Sequence, residues 1–365
     1  MSESGLRQAE THGDAARLLL AASRERFAIA AADLLLPERS RLSEWQRSTA
    51  SALLLRLVRS IEDSLRAALV HHFVAEEALY AALGSTNVAI ALPLLERSGV
   101  LRDGELGTVL VRRVEEHRYW KENAPSGGED LLAELVRDDV DAIAAEAMSL
   151  ILARSRRFDR FQEPLLGQTD LPAELQHRLV WMTAAALRHY MVQQHQISSG
   201  AADAAISTAA SEMIAGYDEG RTLEASSMRL CRALSAAGRL EGRDLARILE
   251  KGLLPLFVAG IAVRSALDYS AAWEILSDPQ GRGTALLLRA CGVARPEAAA
   301  ILLTLNSRGR LFSGLEGDAA AAQLDLFDAT TEAAALDVLR PWQVDRGYRA
   351  AIARLSTRQP SSEAA

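Results

Sequence analysis

Few residues in this chain of 365 are spaced for chemistry. Zinc-hydrolase chemistry needs two histidines four apart on one helix around a glutamate. None of the seven histidines supplies that spacing: His71 and His72 are adjacent, and His117, His177, His189 and His195 stand apart. His72 continues the apolar stripe of Ile61, Leu65 and Ala68, which predicts a packed or partly exposed helix residue, with phosphotransfer at His71 or His72 as the rival reading. His189 and His195 fall at a polar helix end, where a cation suits the negative pole of the dipole.

Asp138, Asp139, Asp141 and Glu146 invite comparison with a calcium loop, but that loop needs a sharp glycine turn and alternating oxygen ligands, where this chain has Ile143 and Ala144. Acidic residues opening a helix explain the run instead, because they accept bonds from its unpaired amides. Ser277-Asp-Pro-Gln-Gly-Arg-Gly283-Thr284 offers two glycines before a helix start, a place where backbone amides can meet a phosphate. It lacks the lysine of a nucleotide loop and follows a helix rather than a strand, so a turn and cap is the expected reading. Cys231 and Cys291 have no ligand-spaced companions and read as buried thiols. No catalytic, cofactor-binding or metal-binding residue emerges.

The densest basic cluster is Arg154, Arg156, Arg157 and Arg160 around Phe158. Guanidinium groups beside an aromatic suit a phosphate or an acidic partner, although arginines also favour a helix end for its dipole. With Tyr119 and Trp120 these four form the expected interaction surface.

Helices must position these groups. Hydrophobic residues make up 49%, charged residues 24% and aromatic residues only 5% of the chain, and the Ala- and Leu-rich remainder favours helix over sheet. Ser43 and Gln46 have capping-box spacing ahead of a face built from Leu54, Leu57, Val58, Ile61, Leu65 and Ala68, in a helix expected to run, with or without a kink, to Leu83. Leu6 to Leu36 is helical in pattern, broken near Gly13 and closed by Pro37. After Pro172 the pattern predicts helices at 172–195, 202–215, 222–237, 241–250, 253–266, 270–276, 282–291 and 295–306, then a pair at Leu324 to Leu339 and Val344 to Leu355. Breaks are expected at Asn123 to Gly128 and Gln162 to Pro172. The resulting division is an N-terminal helical region over 1–160, a break at 161–171, a helical region over 172–310, an extension over 311–356 and a disordered tail over 357–365.

Asn87 to Ser98 and Asp141 to Ser155 look like diverged copies of one helix, each ending in Arg-Ser. A helix pair recurring every 40 to 60 residues has the spacing of HEAT-like repeats. The expected fold is therefore all-α, with stacked helix pairs forming a HEAT-like α-solenoid or a multi-helical bundle.

Asn87-Val-Ala-Ile-Ala-Leu-Pro-Leu-Leu-Glu-Arg-Ser-Gly-Val-Leu-Arg-Asp103, Glu146 to Arg157, Leu254-Pro-Leu-Phe257, Asp278 to Gly283 and Leu288-Arg-Ala-Cys-Gly292 together resemble a proteobacterial family of uncharacterised proteins, a domain of unknown function with HEAT-like repeats. Tyr119-Trp-Lys-Glu-Asn123 departs from that pattern. The resemblance implies helical repeats and a bacterial cytoplasm, and it brings no catalytic residue.

A net charge of -7 speaks against a constitutive nucleic-acid binder. The start of the chain is polar and acidic rather than signal-like, and the longest uncharged apolar stretch, Gly252 to Val263, is too short for a membrane span. The expectation is a soluble cytoplasmic protein that binds another protein as a non-catalytic scaffold or regulator. Two alternatives stay open: a nucleic-acid-binding helical module using the arginine cluster, and an enzyme whose site is gathered from distant helices such as those bearing His189, Asp218 and Glu219.

Overall fold

The computed structural model describes residues 42–85, 88–123, 130–278, 281–307 and 319–357. The expected helix before Pro37, the start of the first copy at Asn87, the loop after Asn123 and the tail from residue 358 lie outside them. Among the described residues every regular element is helical, with one isolated bridge between Phe158 and Pro164 and no strand. The protein is an all-α assembly of stacked helices.

Two compact units share the chain. Unit I takes Leu42–Val114 and Leu152–Ala225, and unit II takes Glu115–Ile151 and the residues from Ser226 onward. The units therefore interleave in sequence instead of following one another as the Pro- and Gly-rich breaks predict. Each crossing falls inside a helix, Gly104–Asn123, Asp141–Ser155 or Leu223–Ala236, where no turn residue marks it.

Unit I is built on α1 (Glu44–Leu69). Ser43 Oγ accepts from Gln46 N at 3.2 Å while Gln46 Oε1 accepts from Ser43 N at 2.6 Å, the reciprocal capping box that the sequence predicts. Leu53, Leu57, Ile61, Leu65 and Leu69 line its buried face, recurring at four-residue steps. The helix stops at Leu69 rather than reaching Leu83. A 3-10 turn, Val70–His72, follows it, and α2 (Glu77–Gly84) resumes the helical path. His71 and His72 are exposed on that turn, so His72 does not extend the buried stripe.

A buried ion pair holds the next turn. Arg66 Nη1 lies 3.2 Å from Glu62 Oε1, and the same guanidinium donates to the carbonyls of Leu83, Val88, Ala82 and Ser85. Glu62 in turn accepts from Ile90 N at 2.8 Å and Ala91 N at 3.0 Å, satisfying the amides that open α3 (Ala91–Ser98). The first half of α4 (Gly104–Asn123) adds Leu106, Val109, Leu110 and Val114 to the core. Along α7 (Ala173–His195) Leu175, Leu179, Val180, Leu187 and Met191 pack against α1 and against α8 (Ser199–Ala215), whose inward face of Ala202, Ala205, Ala209 and Ala210 permits close helix approach.

Unit II contains α5 (Leu131–Val136), most of α6 (Asp141–Ser155) and α9 (Leu223–Ala236), followed by α10 (Gly242–Glu250), α11 (Leu254–Arg264), α12 (Tyr269–Leu276), α13 (Arg282–Ala290) and α14 (Arg295–Ser307). Each of these last five helices packs on its neighbour in sequence, and α13 and α14 both also pack on α15 (Ala319–Ala329). The apolar stretch from Gly252 forms α11, a buried core helix. A Cβ on its Gly260 would stand 2.5 Å from Leu245 Cδ2, so α10 and α11 pack at glycine distance there.

The helix expected from Leu324 to Leu339 is two, α15 and α16 (Glu332–Leu339). Thr330 bonds back to Leu326 O at 2.7 Å and Thr331 caps Ala334 N at 3.2 Å, so consecutive threonines end one helix and start the next. The last helix, α17 (Arg346–Thr357), is anchored by Arg349, whose Nη2 lies 2.5 Å from Glu274 Oε2 on α12, while Trp342 Nε1 donates to Glu274 Oε1 at 3.2 Å. These buried contacts make residues 319–357 part of unit II rather than an appended extension.

Candidate functional site

Two features of unit I stand out, a rigid turn that presents an aromatic to solvent and an open pocket. The turn follows α6. Leu165 N donates to Arg157 O at 2.8 Å and Asp159 N to Glu163 O at 3.0 Å, closing a short hairpin. Inside it Asp159 Oδ1 accepts from Phe161 N at 2.8 Å and Glu163 N at 3.0 Å, while Gln162 N donates to Asp159 O at 3.0 Å. An aspartate opening a turn and binding its own following amides is the local reason this segment folds on itself. Gln162 sits in the left-handed region at φ 65, the conformation a compact hairpin loop needs after its first turn. The start of the expected break at Gln162 is thus a turn closed by its own hydrogen bonds.

At its tip Phe161 is 68% exposed, and the Arg160 guanidinium lies 4.6 Å from the ring centroid. Arg156 is exposed as well and donates to Arg221 O at 2.7 Å. Arg56 Nη1 stands 3.7 Å from Asp159 Oδ2. The Asp159 carboxyl is held below the usual carboxylate range, chiefly by the Glu163 amide, against a weaker opposing push from burial, with the Phe161 amide and the charges of Arg56 and Arg160 adding to it.

Two buried arginines support the turn from behind. Arg113, on α4, donates from Nε to Leu165 O at 3.0 Å and from Nη2 to Arg157 O, and its guanidinium lies 5.1 Å from the Phe158 ring. Arg157 is only 1% exposed. Its Nη2 is 2.8 Å from Glu224 Oε2 and its Nε is 3.4 Å from Asp170 Oδ1, while Arg112 Nη2 is 2.7 Å from Glu224 Oε1. Burial alone would raise the Glu224 pKa, but the charges of Arg157 and Arg112 overcome it and lower that pKa to about 2.

The pocket has a volume of about 390 Å³ and is lined by Ser64 and Ala68 of α1, Gln168 and Thr169 of the 3-10 turn Gln168–Asp170, Gln176 of α7, and Ala209, Glu212, Met213, Gly216 and Tyr217 at the end of α8. Gln176 is 2% exposed and its side-chain amide makes no hydrogen bond to the described residues; Gln168 Oε1 is buried and equally unpartnered among them. A buried polar atom left without a partner costs roughly 1–3 kcal/mol, so Gln168 Oε1 marks the pocket as a place for an occupant. Tyr217 donates its hydroxyl to Leu171 O, and its pKa is raised by burial first and then by the charges of Glu219, Glu224, Asp170 and Asp218. Neither His189 nor Asp218 nor Glu219 is among the lining residues.

The six residues expected to form one interaction surface divide between the two units, with the four arginines in unit I. Arg156 and Arg160 are exposed and Arg154 is partly so, whereas Arg157 turns inward to its two carboxylates. Tyr119 and Trp120 belong to unit II. Tyr119 is fully buried and donates to Leu249 O at 3.0 Å, so it is a core residue; Trp120 is partly exposed, its ring 6.0 Å from that of buried His117. Phe161, Arg113 and Gln176 were not singled out by spacing; the nearest sequence signal was Asp159 five residues before Pro164, a turn signature.

The remaining candidates are accounted for structurally. Asp278 Oδ2 accepts from Arg282 N at 2.9 Å and Gly283 N at 3.4 Å, so a carboxylate of the chain occupies the amides that a phosphate would use. Asp138 is paired with Arg239 Nη1 at 2.5 Å and caps Val140 N at 3.1 Å. Trp181 Nε1 donates to His177 Nε2 at 3.1 Å, and the rings of His195 and Tyr190 meet edge-on at 5.0 Å. Both cysteines are buried. Among the described residues no group of three or more His, Cys, Asp or Glu is placed to hold a metal ion, and no helix is long and apolar enough to cross a membrane.

A family model described as an uncharacterised protein conserved in bacteria (DUF2336) matches residues 124–340. No curated protein and no solved structure matches the chain.

Proposed function

The chain belongs to this bacterial family, DUF2336, and from that premise we propose that it is a non-catalytic cytoplasmic scaffold that docks an acidic segment of another protein on the Asp159–Glu163 turn. The observation that carries this reading is Phe161, 68% exposed at the tip of a turn in which the local amides are bonded. Exposed phenylalanine is costly to solvate, and a turn whose backbone is bonded before binding loses little entropy when a partner covers it. Aromatic and arginine residues also dominate the energetics of protein interfaces. Arg160 and Arg156 supply the charge that selects an acidic segment, and the buried Arg113 and Arg157 keep the turn in place. In this reading the stacked helices act as a repeat-like frame that holds one docking element rigid.

A photo-crosslinking amino acid placed at position 161 tests the proposal in the bacterium. The expected result is one dominant protein adduct. Adducts to nucleic acid, or none above the level seen with the crosslinker on the exposed Leu336 of unit II, would overturn it.

A further inference from the structure

The unit I pocket sets one carboxylate among hydroxyl and amide groups and is lined by no cationic side chain. The Glu212 carboxylate lines it and makes neither an ion pair nor a hydrogen bond with the described residues. Gln168 Oε1 is buried without a partner among those residues, and the Tyr217 oxygen, having donated its proton to Leu171 O, keeps its lone pairs. Gln176 is 98% removed from solvent, lines the same space and has an unpartnered amide, whose oxygen adds a further acceptor. Ala209 and Met213 give the pocket an apolar wall. Its volume of about 390 Å³ suits a molecule of modest size.

From this set we propose that the pocket binds a small alkylamine or alkylguanidine, its cationic N–H groups donating to Glu212, Gln168 and Gln176 and its methylenes lying on Met213. An anion is disfavoured because no cationic side chain lines the space. A neutral apolar molecule would leave the buried Gln168 Oε1 unbonded. A guanidinium or ammonium group offers donors only, which matches a carboxylate flanked by amide and phenol oxygens. The inference is independent of the docking turn, since none of Asp159 to Glu163 lines the pocket.

Calorimetric titration of the full chain at low salt with agmatine, putrescine and the neutral isostere N-butylacetamide tests it. Saturable 1:1 binding of agmatine or putrescine is expected, with N-butylacetamide bound at least about tenfold more weakly. Glu212→Gln, at an exposed position, is expected to weaken agmatine binding about tenfold, and Gln176→Leu to do the same. A Gly-Arg-Gly peptide forms the second arm. Its exclusion identifies a free metabolite as the source, and binding equal to agmatine identifies an arginine side chain of a partner; either result supports the site. No saturable binding of agmatine or putrescine, or binding that Glu212→Gln leaves unchanged, overturns the proposal.

Discussion

Arg157 Nη2 stands 2.8 Å from Glu224 Oε2 across 67 positions of sequence, and the same guanidinium reaches Asp170 at 3.4 Å. One buried cation thus ties the base of the exposed turn to two carboxylates from separate segments of unit I. Removing it leaves Glu224 and Asp170 buried beside a lost charge. Arg157→Leu is expected to destabilise the protein by about 3–5 kcal/mol. Urea unfolding checks this, and a loss within the range of exposed-residue substitutions would contradict the arrangement. Arg156→Leu, on the solvent side, serves as the comparison.

The same network predicts acid sensitivity. The folded pKa of Glu224 is lowered to about 2 from an ordinary 4.5. A depressed carboxyl contributes stability that is fully present above its unfolded pKa and is lost as pH falls through the window between those two values. Wild-type stability should therefore drop on acidification across that window. Glu224→Gln is expected to be less stable at neutral pH and to show a shallower fall, as measured by denaturant midpoints at a series of pH values.

Gln162 stores strain at the turn. A side chain in the left-handed region costs about 1–2 kcal/mol, a cost that glycine avoids. Since φ is 65 there and the residue is exposed, Gln162→Gly is expected to raise the thermal midpoint modestly while leaving Phe161 in place. A lower midpoint would show that the amide side chain is needed where the present geometry gives it no role.

Cys231 and Cys291 should be chemically silent in the folded protein. Burial raises the pKa of both thiols, that of Cys291 to about 12 despite the opposing effect of Arg264, so almost no thiolate forms at neutral pH. A colorimetric thiol reagent is expected to titrate neither in native buffer and both after denaturation. Rapid native labelling of either one would contradict their burial.

Local signals in the sequence were legible where one element's residues settle the outcome. Ser43 and Gln46 lie within one turn of helix, so their spacing alone predicted the cap that forms. The helices beginning at Ala173, Gly242 and Arg295 start within two residues of their expected positions because Pro172, Glu241 and the polar turns mark them. The unit boundaries were not legible, since the crossings at Val114, Ile151 and Ala225 fall within unbroken helices while the conspicuous Gln162 to Pro172 stretch stays inside unit I. Four clustered arginines could be counted but not sorted. Arg156 and Arg157 differ by one position, about 100° around a helix end, and only Glu224 and Asp170, distant in sequence, decide that Arg157 is the buried one. The pocket was illegible for the same reason: Ser64, Gln168, Gln176 and Glu212 come from four segments.

Docking of a protein on the Phe161 turn is tested by a quantitative comparison of what affinity-tagged wild type, Phe161→Ala and Arg160→Glu retain in the bacterial cell. Both substitutions lie on exposed positions and are expected to leave the thermal midpoint unchanged. One stoichiometric protein with an acidic segment is expected on the wild type, reduced at least about tenfold on each variant. Equal recovery on all three, or loss of the protein only when folding is also lost, would contradict it.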